Sequence, residues 1–210
     1  MNRYLGKIGA LTCLAGVLGF ALSMLCGSNN GSYLTSLFIA LGYGMFTCAL
    51  VQTATADRRV AGLAAVMFAC VYITLALLVY FAQLTAVRLD ALGAQARAVL
   101  DYQTFGLYFS YDLLGYAMMA LSTFFAGLAL TPQMVGDKWL KGLLLAHGAF
   151  FPICLVMPML GLFRSGAPGM EWMGTALLLF WCAYFTPVCL LAANACRRIP
   201  DGRAEPGAGA

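Results

Sequence analysis

Few residues of this chain can do chemistry, and they stand where chemistry is costly. The run GLYFSYDLLGYAMMALSTFFAGLAL, residues 106–130, is apolar enough to lie in lipid yet carries a carboxyl at Asp112. On a helical wheel, Tyr108, Tyr111, Asp112, Gly115, Tyr116, Met119, Ser122 and Thr123 fall within roughly 140° of one another. Leu113, Leu114, Ala117, Ala120, Leu121, Phe124 and Leu128 fill the other side. The acid therefore belongs to a polar and small-residue stripe that should face protein rather than acyl chains. It lies about seven residues past the outer start of its run, or roughly 10 Å deep. An ionisable group near mid-membrane costs about 2.5–3.5 kcal/mol on insertion scales. Asp112 thus requires a partner, a water-filled cavity or a retained proton.

The preceding apolar run ends in VYFAQLTAVR, residues 79–88, where Tyr80, Gln83 and Arg88 share a helical face. The expectation is a polar cluster of Tyr80, Gln83, Arg88, Tyr108, Tyr111 and Asp112 just below the outer surface. If Arg88 reaches the acid the pair is ionic; without that contact the carboxyl is expected to keep its proton.

His147, the one histidine, is expected about seven residues past the inner start of its span, with Leu143, Phe151, Cys154, Pro158 and Gly161 on its face. Pro152 and Pro158 lack backbone donors, which leaves the carbonyls of Gly148 and Cys154 without helical partners. Broken transporter helices offer such carbonyls to ions or substrates, whereas neighbours repair them in a merely kinked helix. Asp112 and His147 approach from opposite sides, so a proton relay between them would need water or a tyrosine.

Other chemistries find no residues. The eight cysteines (13, 26, 48, 70, 154, 182, 189 and 196) stand singly, with no CxxC pair, so neither zinc nor haem has a ligand set and no cofactor is expected. No Walker loop, dinucleotide fingerprint, GxSxG elbow or HExxH occurs. A lipid-modifying enzyme using Asp112 or His147 as base would lack a nucleophile or metal.

The elements that must position these groups follow from composition. The chain of 210 residues is 62% hydrophobic and 10% charged, against about 25% charged in soluble domains. Its charges cannot cover a surface facing water, so the solvent is the lipid bilayer. Six stretches, about 8–26, 33–54, 60–84, 105–130, 140–162 and 173–193, each suffice to cross a core of roughly 30 Å. Uninterrupted runs of this length select helices over barrel strands. The fold class is all-α, a polytopic bundle of six transmembrane helices in one domain over residues 1–196.

Arg3, Lys7, Arg58, Arg59, Lys138, Lys141, Arg197, Arg198 and Arg203 fall on one side of these spans, and Arg88, Arg97 and Arg164 on the other. That asymmetry places both termini in the cytoplasm and the chain in a cell inner membrane. The net charge of +4 reports topology, and no nucleic-acid partner is expected. The first run is read as a retained helix rather than a cleaved signal. Thr12, Gly16, Gly19 and Ser23 give it a small face for close helix approach. Tyr33, Trp139 and Trp172 are expected as interfacial anchors, and Glu171 as solvated or facing Arg164. The outer connection 88–104 has Leu89, Leu92, Ala96 and Val99 at helical spacing, which suits a short amphipathic helix in the interface or a cap over the bundle. Residues 197–210 are expected to be a disordered tail.

The pieces YFAQLTAVR (80–88), YDLLGYAMMALS (111–122) and MPMLG (157–161) resemble an uncharacterised family of small bacterial and archaeal integral membrane proteins. The resemblance covers the third to fifth spans and groups these residues, but it brings no activity with it. Two functions stay open on the residues alone. One is a pocket binding or passing a small solute or proton. The other is a structural or accessory subunit, alone, as a homo-oligomer or with a membrane partner, whose polar cluster only fixes helix packing.

Overall fold

The structure, a computed structural model, describes residues 1–89, 91–161 and 170–199, and of 170–173 the backbone only. Arg164, the contact expected of Glu171, the anchor Trp172 and the tail beyond 199 lie outside the described residues. The helices are α1 (Asn2–Leu25), α2 (Asn29–Leu50), α3 (Arg59–Ala82), α4 (Ala94–Leu100), α5 (Leu107–Ala129), α6 (Val135–His147), α7 (Phe150–Met159) and α8 (Met170–Arg197). Six helical stretches, with α6 and α7 as one, are long and apolar enough to cross a membrane. The protein is an all-α bundle of six such spans, and several helices run past the apolar limits, α1 from Asn2 and α8 to Arg197.

Short connections make successive spans antiparallel neighbours. α1 packs on α2, α2 on α3, α3 on α5, and α5 on α6 and α7, while α8 closes the ring by lying against both α1 and α6. Tyr43, Phe46, Tyr72, Met119 and Phe185 fill the centre, each almost wholly buried. The first hairpin is the closest approach, and glycines permit it. Ideal Cβ atoms built on Gly9, Gly16 and Gly42 would stand within 3 Å of the facing helix's backbone. Gly16, Gly19 and Ser23 meet α2 as the small face implied, and Gly9 extends that seam.

Both described termini lie at one end of the bundle, with Arg58, Lys138, Lys141 and Arg198; this is the basic end. Here Arg58 donates to the Leu130 carbonyl (3.3 Å) and Lys141 to the same oxygen (3.0 Å), so two cations cover the C-terminal carbonyl of α5. Trp139, 67% exposed, stands in the same region as an anchor should. Asp137, buried in the first turn of α6, accepts from the backbone N–H groups of Gln133 (3.0 Å) and Met134 (3.1 Å) and from the guanidinium of Arg198, the residue that follows α8. One carboxylate thereby caps a helix and ties the last span to it. Asp137→Ala should lower stability by about 1–3 kcal/mol, and Asp137→Asn by less because an amide oxygen still accepts. Thermal unfolding in detergent checks this; an unchanged midpoint for Asp137→Ala would show the tie to be idle.

The fifth span departs from expectation. It is broken at Gly148–Ala149, where the N–H groups of both turn back to the carbonyls three residues earlier. Pro152 cannot donate to Gly148, and its ring crowds that carbonyl, so the helix stops there and restarts with Pro152 in the donor-free first turn of α7. The Gly148 carbonyl is not left open, because Phe151 N donates to it at 3.0 Å. The break also ends His147's face: it shares burial with Leu140 and Leu144, not with Pro158 or Gly161.

Candidate functional site

Asp112 is the sixth residue of α5, about 8 Å below that helix's start at the end opposite the basic one, and it is only 2% exposed. Its Oδ2 accepts from the Tyr102 hydroxyl at 3.0 Å, and the Tyr80 hydroxyl reaches the same carboxyl. Tyr80 Oη lies 3.4 Å from Tyr116 Oη, one turn further along α5. The acid thus heads a short chain of phenols. Around it the rings of Tyr33, Tyr80 and Tyr102 lie 5.9–6.2 Å apart, and Tyr102 meets Phe109 edge-on at 5.1 Å.

Tyr102 escaped the sequence reasoning because it belongs to the connection, not to a span. Burial pushes its phenol well above the usual tyrosine value, and the neighbouring Asp112 adds to the rise. It therefore keeps its proton, and its role as a donor, throughout the neutral range. What brings it over the acid is a tight reversal after a 3₁₀ turn at Tyr102–Thr104, in which Phe105 takes the left-handed conformation (φ 56°) and Gly106 leads into α5.

Gln83 is buried but does not touch the carboxyl. Its Nε2 donates to the Leu100 carbonyl (2.7 Å) and its Oε1 accepts from Tyr102 N (3.0 Å), so it clamps the connection's backbone above the acid. Arg88 is exposed, and among the described residues no basic group pairs with Asp112. Arg88 lies beyond a π-helical turn at Gln83–Val87, near the outer end of its helix, where a long cationic side chain keeps its charge in water or headgroups. Tyr111 is 36% exposed and Tyr108 half-buried; their rings pack on each other (6.2 Å) at the edge of the stripe rather than on the acid. Tyr33, expected as an anchor, is instead buried beneath the connection, accepting from Gln103 Nε2 at 2.9 Å.

His147 belongs to a second cluster. Its Nδ1 lies 2.8 Å from Thr123 Oγ1, and its Nε2 accepts from Trp181 Nε1 at 3.0 Å. An indole only donates, so Nε2 carries no hydrogen. The Nδ1–H then donates to Thr123, whose hydroxyl donates to the Ala120 carbonyl at 2.9 Å. Thr123 is eleven residues from Asp112, about 16 Å along α5. Among the described residues the two clusters meet through aromatic contact, the Tyr116 and Trp181 rings at 5.7 Å. A third link joins α5 to α2 and α3: Tyr43 Oη donates to Ser122 Oγ (2.6 Å), which donates to the Ala65 carbonyl (2.7 Å).

Compared with protein-family models, with curated proteins and with solved structures, the chain matches none. Its chemistry must be argued from the residues themselves. Among the described residues no three of His, Cys, Asp and Glu converge as metal ligands. What the arrangement offers is an enclosed carboxyl held by phenols, with donor and acceptor roles free to exchange along Asp112, Tyr80 and Tyr116.

Proposed function

We propose that this protein is a multi-pass component of a cell inner membrane that takes up a proton at Asp112 from the outer side, with the basic end and both termini in the cytoplasm. Nine Lys and Arg on that side against three on the other support the orientation. The observation that carries the proton site is the enclosure of Asp112 by Tyr102 and Tyr80 with no basic partner among the described residues. A carboxyl neutralised by an arginine would be a fixed ion pair; one held by phenols can change charge without breaking a salt bridge. Space favours a proton over a larger solute, since the carboxyl is almost wholly covered. The indole of Trp181 cannot accept and pass on a proton, so the chain of exchangeable groups ends at Tyr116. The site is one for binding or coupling, lying beneath the capped end, rather than a wire across the bilayer.

The other reading, an accessory subunit whose polar groups only fix packing, is favoured by Ser122, whose hydroxyl is fully used in joining α2, α3 and α5. Asp112→Asn separates the two, because it retains shape and hydrogen bonding while removing the titratable group. The expected result is a folded protein at normal abundance that has lost a pH-responsive carboxyl infrared band and any proton uptake in proteoliposomes. Wild-type and Asp112→Asn protein with identical proton uptake and spectra would defeat the proton site. Tyr102→Phe serves where the amide does not fold; it should alter the band without abolishing it.

A further inference from the structure

The segment covering Asp112 is attached in a way that lets it lift. We infer that residues 93–106 form a lid over the carboxyl, latched by the side-chain amide of Gln83; the inference rests on Asp112 being a working proton site. The covering hydroxyl comes from Tyr102, in the connection, while everything else around the acid comes from spanning helices. Side-chain bonds from the spans to the connection are few: the two at Gln83 (2.7 and 3.0 Å), that from Gln103 to Tyr33 (2.9 Å) and that from the Tyr102 hydroxyl to Asp112 itself (3.0 Å). The remainder has little hold. α4 is exposed from Ala94 to Val99, and Leu89, expected on its apolar face, is 70% exposed. Beneath the lid lie ring contacts, Tyr102 on Tyr33 and on Phe109, which part without stranding a polar atom.

Both ends of the segment can hinge. At Gly93 nothing stands within 4 Å of where a Cβ would be, so the chain there is unconstrained by packing. At the other end Phe105 holds a left-handed conformation, a strain that opening would relieve. The seated position also requires glycine at 106, because a Cβ there would come within 2.3 Å of the Ala98 carbonyl oxygen. The latch itself is deliberate in placement: Gln83 begins the π turn, a distortion that recurs at functional sites, and it spends both ends of its amide on the lid's backbone. A lid held this way spends a minor fraction of time open, on the order of 0.1–10%, and in that state outer water reaches Asp112.

The test uses the full chain in lipid nanodiscs, with amide hydrogen exchange by mass spectrometry and the rate at which the Asp112 infrared band follows a pH jump. Gln83→Ala removes the latch, and Gly106→Ala unseats the lid without touching latch or acid. Both should speed exchange of residues 94–104 at least tenfold, leave α3 and α5 amides unchanged, and speed the carboxyl response by a similar factor. Loosening of α3 and α5 together with the segment would make Gln83 a packing residue and overturn the lid. So would faster exchange of the segment with an unchanged carboxyl response, since water would then arrive by another route. A wild-type band indifferent to pH overturns the proton site instead, while the exchange contrast still decides whether the segment lifts.

Discussion

Gly42→Val is expected to cost about 3 kcal/mol or more and to remove most folded protein from the membrane. A Cβ at Gly42 would stand 2.4 Å from Cys13 N and 2.6 Å from the Gly9 carbonyl oxygen. Both are backbone atoms of α1, so no side chain can turn aside, and the helices must separate. Overpacking ordinarily costs 1–3 kcal/mol; here it acts where separation also opens the seam at Gly9 and Gly16. Lipid tails are as apolar as leucine, so helix association in a bilayer depends on close packing, which this change removes. Two controls isolate the cause. Gly44→Ala meets only the tip of Ile73, 2.6 Å away, which can rotate. Gly142→Ala meets nothing within 4 Å and should stabilise its helix by up to about 1 kcal/mol. Membrane abundance and thermal unfolding in detergent read all three. A Gly42→Val protein that unfolds no earlier than Gly44→Ala would refute the close-packed seam.

How much of this was legible beforehand divides along physical lines. The six spans were, because solvation by lipid demands long apolar runs and leaves few other ways to satisfy a backbone. The burial of Asp112, Ser122 and Thr123 was, because period-3.6 patterning is local. Their partners were not. Tyr102 reaches Asp112 through a left-handed residue at Phe105, a conformation that no apolar pattern announces. Arg88 was grouped with Tyr80 and Gln83 by its wheel position, but it lies near the outer end of its helix, where its long side chain is exposed. For His147 the proline at 152 carried the signal, but its effect falls four residues earlier, on Gly148, which ends α6 and detaches the histidine's face from α7. For Tyr102 and His147 the missing information was a backbone irregularity, and each irregularity lies close to the polar group it places.

α5 gathers those groups into a common logic. Its hydrophilic side chains each address a different neighbour: Asp112 the cap and α3, Tyr116 α3, Ser122 α2 and α3, Thr123 α6. A helix bound on several sides is a poor candidate for movement. Any working motion therefore belongs to what is loosely held against it, which is the segment over Asp112 rather than a spanning helix.

The second large effect concerns His147 and Trp181. His147→Leu keeps most of the volume but leaves the Trp181 N–H without an acceptor in a buried, apolar setting, at a cost of about 1–3 kcal/mol. Thr123 is spared, because it still donates to Ala120. Trp181→Phe does the converse, stranding the imidazole Nε2 and leaving a small void beside Phe185 and Tyr116. When both are replaced, no polar atom is stranded, so the double variant should lose less than the two single losses together, by about 1–2 kcal/mol. Strict additivity in thermal unfolding would mean that the 3.0 Å contact carries no energy. The same variants bear on proton movement. Because an indole donates and cannot accept, His147→Leu should leave the pH response of the Asp112 carboxyl band unchanged while lowering stability. Loss of that response in a folded His147→Leu protein would join the two clusters into one path, and the site would then have to be understood as a conduit across α5 rather than a binding site beneath a lid.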